Sequence, residues 1–168
     1  MVLGECGDER DRELLLLLGA LEELTLYAVV ALMKTQPDRQ RAVYELARWV
    51  KGWGRIHAVE RLEGSDDPEI KAWLLREGFR NDVMNEYLAH LAATTGDLYT
   101  ALLGPDVDKA LFEGAGGILA ALALGGPAKD MTDYDDGVPT MHRYAELVGT
   151  PNQRWACWIT CSPSDGVR

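Results

Sequence analysis

The sequence predicts an all-α protein, and three observations carry that prediction. Strong helix formers, with apolar residues at spacings of three and four, recur along the chain. No stretch alternates Val, Ile, Thr and aromatics between hairpin turns as a strand would. Short Gly-, Pro- and Asp-bearing breaks separate the periodic segments, so the helices are short and sequential neighbours pair antiparallel. The 168 residues, nearly half of them hydrophobic, suit one domain with its own core. That domain is expected over residues 1–162, with 163–168 as a tail.

The first predicted helix runs from Arg10 to Met33, with Leu14, Leu17, Leu18, Leu21, Leu24, Ala28, Val29 and Leu32 as its inward stripe. Gly19 is tolerated inside it at about 1 kcal/mol. Pro37 and Asp38 end it and start a second helix to Lys51, whose stripe is Val43, Leu46 and Val50. Gly52 and Gly54 are expected to break or kink the chain before a third helix, Arg55 to Glu63, with Ile56, Val59 and Leu62 inward. Asp67 as N-cap with Pro68 at the first helical position starts a fourth, which buries Ile70, Trp73 and Leu74 and closes at Gly78. Asn81 or Asp82 caps a fifth, with stripe Val83, Tyr87, Leu88 and Leu91. After the Thr94–Asp97 turn, Leu98, Ala101 and Leu102 continue in a short helix. A long segment from Val107 to Leu124 is expected to split at Gly114, Gly116 and Gly117. Residues 125–137 read as a loop, followed by a helix from Val138 to Val148. Thr150, Pro151 and Gln153 then form a capping-box start before Trp155, Trp158 and Ile159. Trp49, Trp53 and Trp73 are assigned to the core near the helix-pair junctions.

Acidic residues number 27 against 17 basic, a net charge of -10. A field of that sign repels phosphate backbones and attracts basic surfaces, so the expected partner is a protein with a basic surface and not nucleic acid. The leucine run Leu14–Leu18 follows a net-negative segment, unlike a secretory signal. A membrane span there would bury Glu22 and Glu23 at about 2.5–3.5 kcal/mol per charge. No membrane association is therefore expected. Three sparse cysteines, Cys6, Cys157 and Cys161, fit free thiols in a reducing cytoplasm better than a disulfide framework. Neither a metal nor another cofactor is expected.

Two units overlay: "GRIHAVERLEGSDDPEIKAWLL" and "NDVMNEYLAHLAATTGDLYTALL". Ile56 falls on Val83, Ile70 on Leu98 and Leu74 on Leu102. Arg55, Ala58, Val59 and Leu62 in the first helix, and Asp67, Pro68, Ile70 and Leu74 in the second, resemble the short HEAT-like repeats of bacterial helical-repeat proteins. The resemblance covers about a third of the chain. It implies short antiparallel helix pairs in a HEAT-like α-α superhelix, with an irregular helical bundle as the alternative. It further implies a scaffold whose concave surface binds proteins, and brings no residue-level chemistry.

Three groups of residues are candidate sites. In "GWGRIHAVERL", His57 and Glu60 at i, i+3 form either an oriented acid/base pair or a surface ion pair, and the surface pair is preferred. "KDMTDYDDG" gathers Asp130, Asp133, Asp135 and Asp136. Its spacing to Gly137 fails the EF-hand pattern, which leaves a solvated acidic loop or a looser magnesium site with His142. Charge is also segregated. Arg39 to Arg61 holds six basic and two acidic residues, and Asp97 to Asp136 holds eight acidic and two basic. The leading expectation is a non-enzymatic protein–protein interaction module, in which the four aspartates steer a basic partner and Trp155 and Trp158 anchor it. A narrower form is a bacterial immunity or antitoxin-type protein. The alternatives are a metal-dependent hydrolase built on Asp133 and His142, and a regulatory subunit that oligomerises through Trp155 and Trp158.

Overall fold

The structure is a computed structural model that describes residues 8–149, and these form an all-α fold with no strand among them. The predicted helix from Thr150, with Trp155 and Trp158, lies outside the described residues, as do the three cysteines. A 3₁₀ turn at Glu9–Asp11 leads into α1 (Arg12–Gly19), α2 (Glu22–Thr35), α3 (Arg39–Ala47) and α4 (Gly52–Glu60). Then follow α5 (Pro68–Trp73), α6 (Glu86–Thr95), α7 (Leu98–Leu103), α8 (Lys109–Leu124) and α9 (Gly137–Gly149). A π turn, Leu74–Gly78, extends α5, and a 3₁₀ turn, Met131–Asp133, sits in the α8–α9 connection. Among the described residues no helix is long and apolar enough to cross a membrane.

The helices form two layers. α2, α4, α6 and α8 stack in that order, each on the next, while α1, α3, the π turn and α7 lie against them. α9 closes on α7 and α8. One apolar cluster runs the length of this array, from Leu15 through Val29, Leu46, Ile56, Leu74 and Leu88 to Ile118 and Tyr134. Small residues are buried along the stacked helices: Ala58 on α4, Ala89, Ala92 and Ala93 on α6, Gly114 and Ala115 on α8, with Gly114 set against the π turn. Short side chains let helix axes approach closely, and close packing gains dispersion contacts along the whole line.

A recurring charge clamp joins neighbouring units. Arg12 at the start of α1 reaches Asp38, the residue before α3, at 2.7 Å. Arg41 in the first turn of α3 reaches Asp67, the N-cap of α5, at 3.3 Å, and Glu69 at 2.6 Å. Each Arg–Asp pair spans 26 residues. A third clamp, Arg76 to Asp108 at 2.8 Å, fixes the π turn to the N-cap of α8, where Asp108 also accepts the Leu111 amide at 2.7 Å. Hydrogen bonding from Arg12 holds the Asp38 carboxyl below the ordinary carboxylate range, and Arg76 does the same to Asp108.

These lowered values have a pH consequence. A carboxyl whose folded pKa is depressed adds stability above its unfolded value, near 4, and loses it as pH falls through the folded value. The denaturation midpoint is therefore expected to fall with acidification below about pH 4. Asp108→Asn should flatten part of that dependence at little cost at neutral pH, because asparagine keeps the cap and the ion pair is solvent-exposed, whereas Asp108→Ala should also lose the cap, at about 1 kcal/mol. Urea titrations of these proteins across that range check it.

Several elements differ from the sequence reading. The Arg10–Met33 helix is two helices, folded back at Ala20–Leu21. Gly19 makes this possible: a Cβ there would lie 2.8 Å from Leu46 and 2.9 Å from Ala28, so α1 and α2 meet α3 at bare backbone. The buried Thr25 hydroxyl donates to the Gly19 carbonyl at 2.8 Å and locks the corner. Refolding the segment as a hairpin exposes Leu14, Leu17, Leu21 and Leu24, four of the residues predicted inward. Gly52 and Gly54 do not break a helix but open α4, where Gly54 is buried against Thr25. Asn81 caps the Val83 and Met84 amides in a turn, and α6 begins later, at Glu86. Val83, overlaid on buried Ile56 in the repeat, is exposed before that helix, whereas Ile70, Leu74, Leu98 and Leu102 are all buried. α8 runs unbroken through its three glycines.

Candidate functional site

The acidic residues are positioned by the connections between helices. In the α8–α9 connection, Asp130 and Asp133 cap each other's backbone. The Asp130 carboxylate accepts the Thr132 amide and hydroxyl, both at 2.7 Å, and the Asp133 carboxylate accepts the Asp130 amide at 3.1 Å. Two of the four predicted binding aspartates therefore shape the loop, and only their remaining lone pairs face outward. Asp135 and Asp136 are exposed and follow directly.

The loop docks on the α6–α7 corner. His90 on α6 donates from Nε2 to the Asp133 carbonyl at 3.2 Å, and its ring meets Tyr134 edge-on at 6.4 Å between centroids. A carbonyl only accepts, so this contact places the proton on Nε2. Tyr134 is buried, with its hydroxyl 3.4 Å from the Thr140 hydroxyl. Burial raises its pKa first, and the carboxylates of Asp136 and Asp97 raise it further. The charges of Asp97 and Asp136 thus both act on one phenol, although 39 positions separate them in sequence. Asp97 is the one non-glycine residue at positive φ, 56°, among the described residues, a conformation aspartate tolerates better than most. The α4–α5 turn joins the same corner: the Gly64 amide donates to the Thr95 hydroxyl at 3.1 Å. Exposed Glu63 and Asp66 flank that turn. Three connections therefore bring Glu63, Asp66, Asp97, Asp133, Asp135 and Asp136 to one corner of the fold, with Arg61 and Lys129 the exposed cations on the same segments.

His142 is exposed on α9, and His90 is the histidine that meets the loop. Among the described residues no three His, Cys, Asp or Glu side chains converge to hold a metal ion. His57 lies 3.7 Å from Glu60 on the surface of α4, with the Trp53 ring 6.3 Å away, as the surface-pair reading has it.

One feature escaped the sequence reading. Trp49, assigned there to the core, is 82 % exposed, and Trp53 is 47 % exposed. Only Trp73 packs inward, edge-on to Tyr44 at 5.2 Å. Trp49 and Val50 wall a cleft of about 460 Å³ with Glu22, Thr25, Lys51, Asp82 and Val83. The signal was present: Trp49 stands between Arg48 and Lys51, outside the stripe that Val43, Leu46 and Val50 define. Its apolar character outweighed its register.

Fold and geometry together define an all-α, two-layer array of short helices with an acidic corner and a separate tryptophan-walled cleft. No protein-family model matches the chain, and neither do curated proteins or solved structures.

Proposed function

We propose that this protein is a non-enzymatic protein-interaction module that docks a basic partner on the acidic corner around Asp97, Asp135 and Asp136. The observation that carries the reading is the convergence of three inter-helix connections. Carboxylates remote in sequence meet on one surface, and most have no cation to satisfy them among the described residues. Like charges held together repel, so such a surface gains when a basic partner covers it, and its field speeds the encounter. The resemblance to HEAT-like repeats supports the same class by analogy alone. The immunity or antitoxin-type form is the version of this proposal in which the partner is a basic toxin. The hydrolase alternative draws no support from the described side chains. The oligomeric alternative through Trp155 and Trp158 falls outside the described residues.

A second binding surface is favoured by Trp49. An indole this exposed beside a cleft is the kind of group that becomes an interface hot spot once a partner excludes water from it. Affinity capture from a native-source lysate separates the two surfaces. The wild-type chain is expected to retain a basic protein at low salt and release it at high salt. Asp97→Asn/Asp135→Asn/Asp136→Asn should abolish retention, and Trp49→Ala should leave its salt dependence intact. Retention by the triple variant equal to wild type would count against the acidic corner.

A further inference from the structure

We propose that the α1–α2 hairpin is a self-association surface, on which α2 packs antiparallel against α2 of a second copy. The stacked layer α2–α4–α6–α8 ends at α2, which packs on α1, α3 and α4 and leaves Leu26, Tyr27 and Val30 exposed. A terminal helix of a stacked array needs a polar outer face to stay in water. This one carries large apolar side chains on both sides. Thr25, Ala28, Val29 and Leu32 face the core, while Leu24, Leu26, Tyr27 and Val30 face out. Leu17 and Leu21 of the same hairpin are 70 % and 55 % exposed, and Tyr27 is 55 % exposed. These side chains expose several hundred Å² on one hairpin, the scale of one partner's share of a standard interface, about 800 Å² with its polar rim.

The charges on this face select a second copy as the occupant. Glu23 and Lys34 stand on the same outer line as Tyr27 and Val30, about three turns apart. Both are exposed, and neither forms an ion pair among the described residues. They are placed symmetrically about the point midway between Tyr27 and Val30. A two-fold axis through that point sets Glu23 of each copy against Lys34 of the other, and Tyr27 against Val30. Such self-complementarity is what an isologous interface requires. The layer then continues through the axis, α4–α2 of one copy meeting α2–α4 of the next. Two segments of the chain lie outside the described residues: 150–168 follow α9, which packs on α7 and α8 at the opposite end of the layer, and 1–7, seven residues against the fourteen of α2, are too short to cover this face.

Sedimentation equilibrium of the full chain tests this. The expected mass is twice the 18.6 kDa of one chain, at micromolar concentration. Tyr27→Glu/Val30→Glu is expected to give a single-chain mass with unchanged helical circular dichroism, since both sites are exposed. Lys34→Glu should weaken the dimer roughly tenfold or more by setting like charges face to face, and adding Glu23→Lys should restore it. A single-chain mass for the wild type overturns the proposal. So does a dimer that survives Tyr27→Glu/Val30→Glu, or a double charge swap that fails to restore association.

Discussion

Gly114→Ala is expected to cost at least about 3 kcal/mol, and Gly114→Val to leave no stable fold, because this site has no direction in which to yield. A Cβ at Gly114 would lie 3.1 Å from the carbonyl carbon of Leu75, closer still to its oxygen, and 3.2 Å from the Arg76 Cα. All three are backbone atoms of the π turn. That turn is itself fixed, by Arg76 bridging to Asp108 and by Leu74 and Leu75, which are fully buried. Overpacking against a flexible side chain is relieved by a rotamer change, whereas here two backbones must separate. Separation would unpack α8 from the π turn along the middle of the core. Domains of this size hold about 5–15 kcal/mol in all, so the loss is a large fraction. Gly104→Ala is the matched control. Its Cβ would meet nothing closer than 3.4 Å, and it should shift the urea midpoint little. Equal midpoints for Gly114→Ala and Gly104→Ala would refute the argument.

Arg55→Ala is expected to lose about 2–3 kcal/mol, and Arg55→Lys to recover less than half of it. The guanidinium sits where two chain segments end. Nε donates to the Val50 carbonyl at 2.9 Å, and the two terminal nitrogens reach the carbonyls of Arg48, Glu77 and Arg80 at 3.3–3.4 Å. Those carbonyls lie at the C-terminal ends of α3 and the π turn, where the backbone is electronegative. The cation also lies over the Trp73 ring, 5.6 Å from its centroid. Burial lowers the Arg55 pKa, so the group is partly desolvated and its acceptors matter more. A lysine ammonium is a point donor on a flexible stem. It cannot serve both segments and stack on the indole at once. Chemical denaturation of the two variants measures the split.

The fold class was legible because it rests on periodicity, which acts along the chain. The Asp67–Pro68 start is a local signal and appears as read, with Asp67 accepting the Glu69 amide at 2.8 Å. What failed depended on contacts between remote residues. The leucine run around Gly19 looks like one helix until Leu46 and Ala28 press on that glycine. The glycines of α8 look like breaks until Leu75 and Phe79 occupy the space they leave. The overlay of Ile56 on Val83 followed hydropathy, whereas the clamp that recurs in the structure is polar: Arg12 with Asp38, then Arg41 with Asp67. The candidate site was half legible. Its four aspartates are a sequence cluster, but Glu63, Asp66 and Asp97 join them only through the Gly64–Thr95 and His90–Asp133 hydrogen bonds. That two of the four spend their carboxylates on capping could not be seen without the loop's backbone.

The acidic corner is tested most directly by hydrogen exchange on the complex with the captured basic protein. The expected result is slowed exchange confined to the turn around Gly64, the α6–α7 corner at Asp97 and the 131–137 segment, reversed by high salt. Slowed exchange centred instead on Trp49 and Val83, with the acidic corner unchanged, would contradict it.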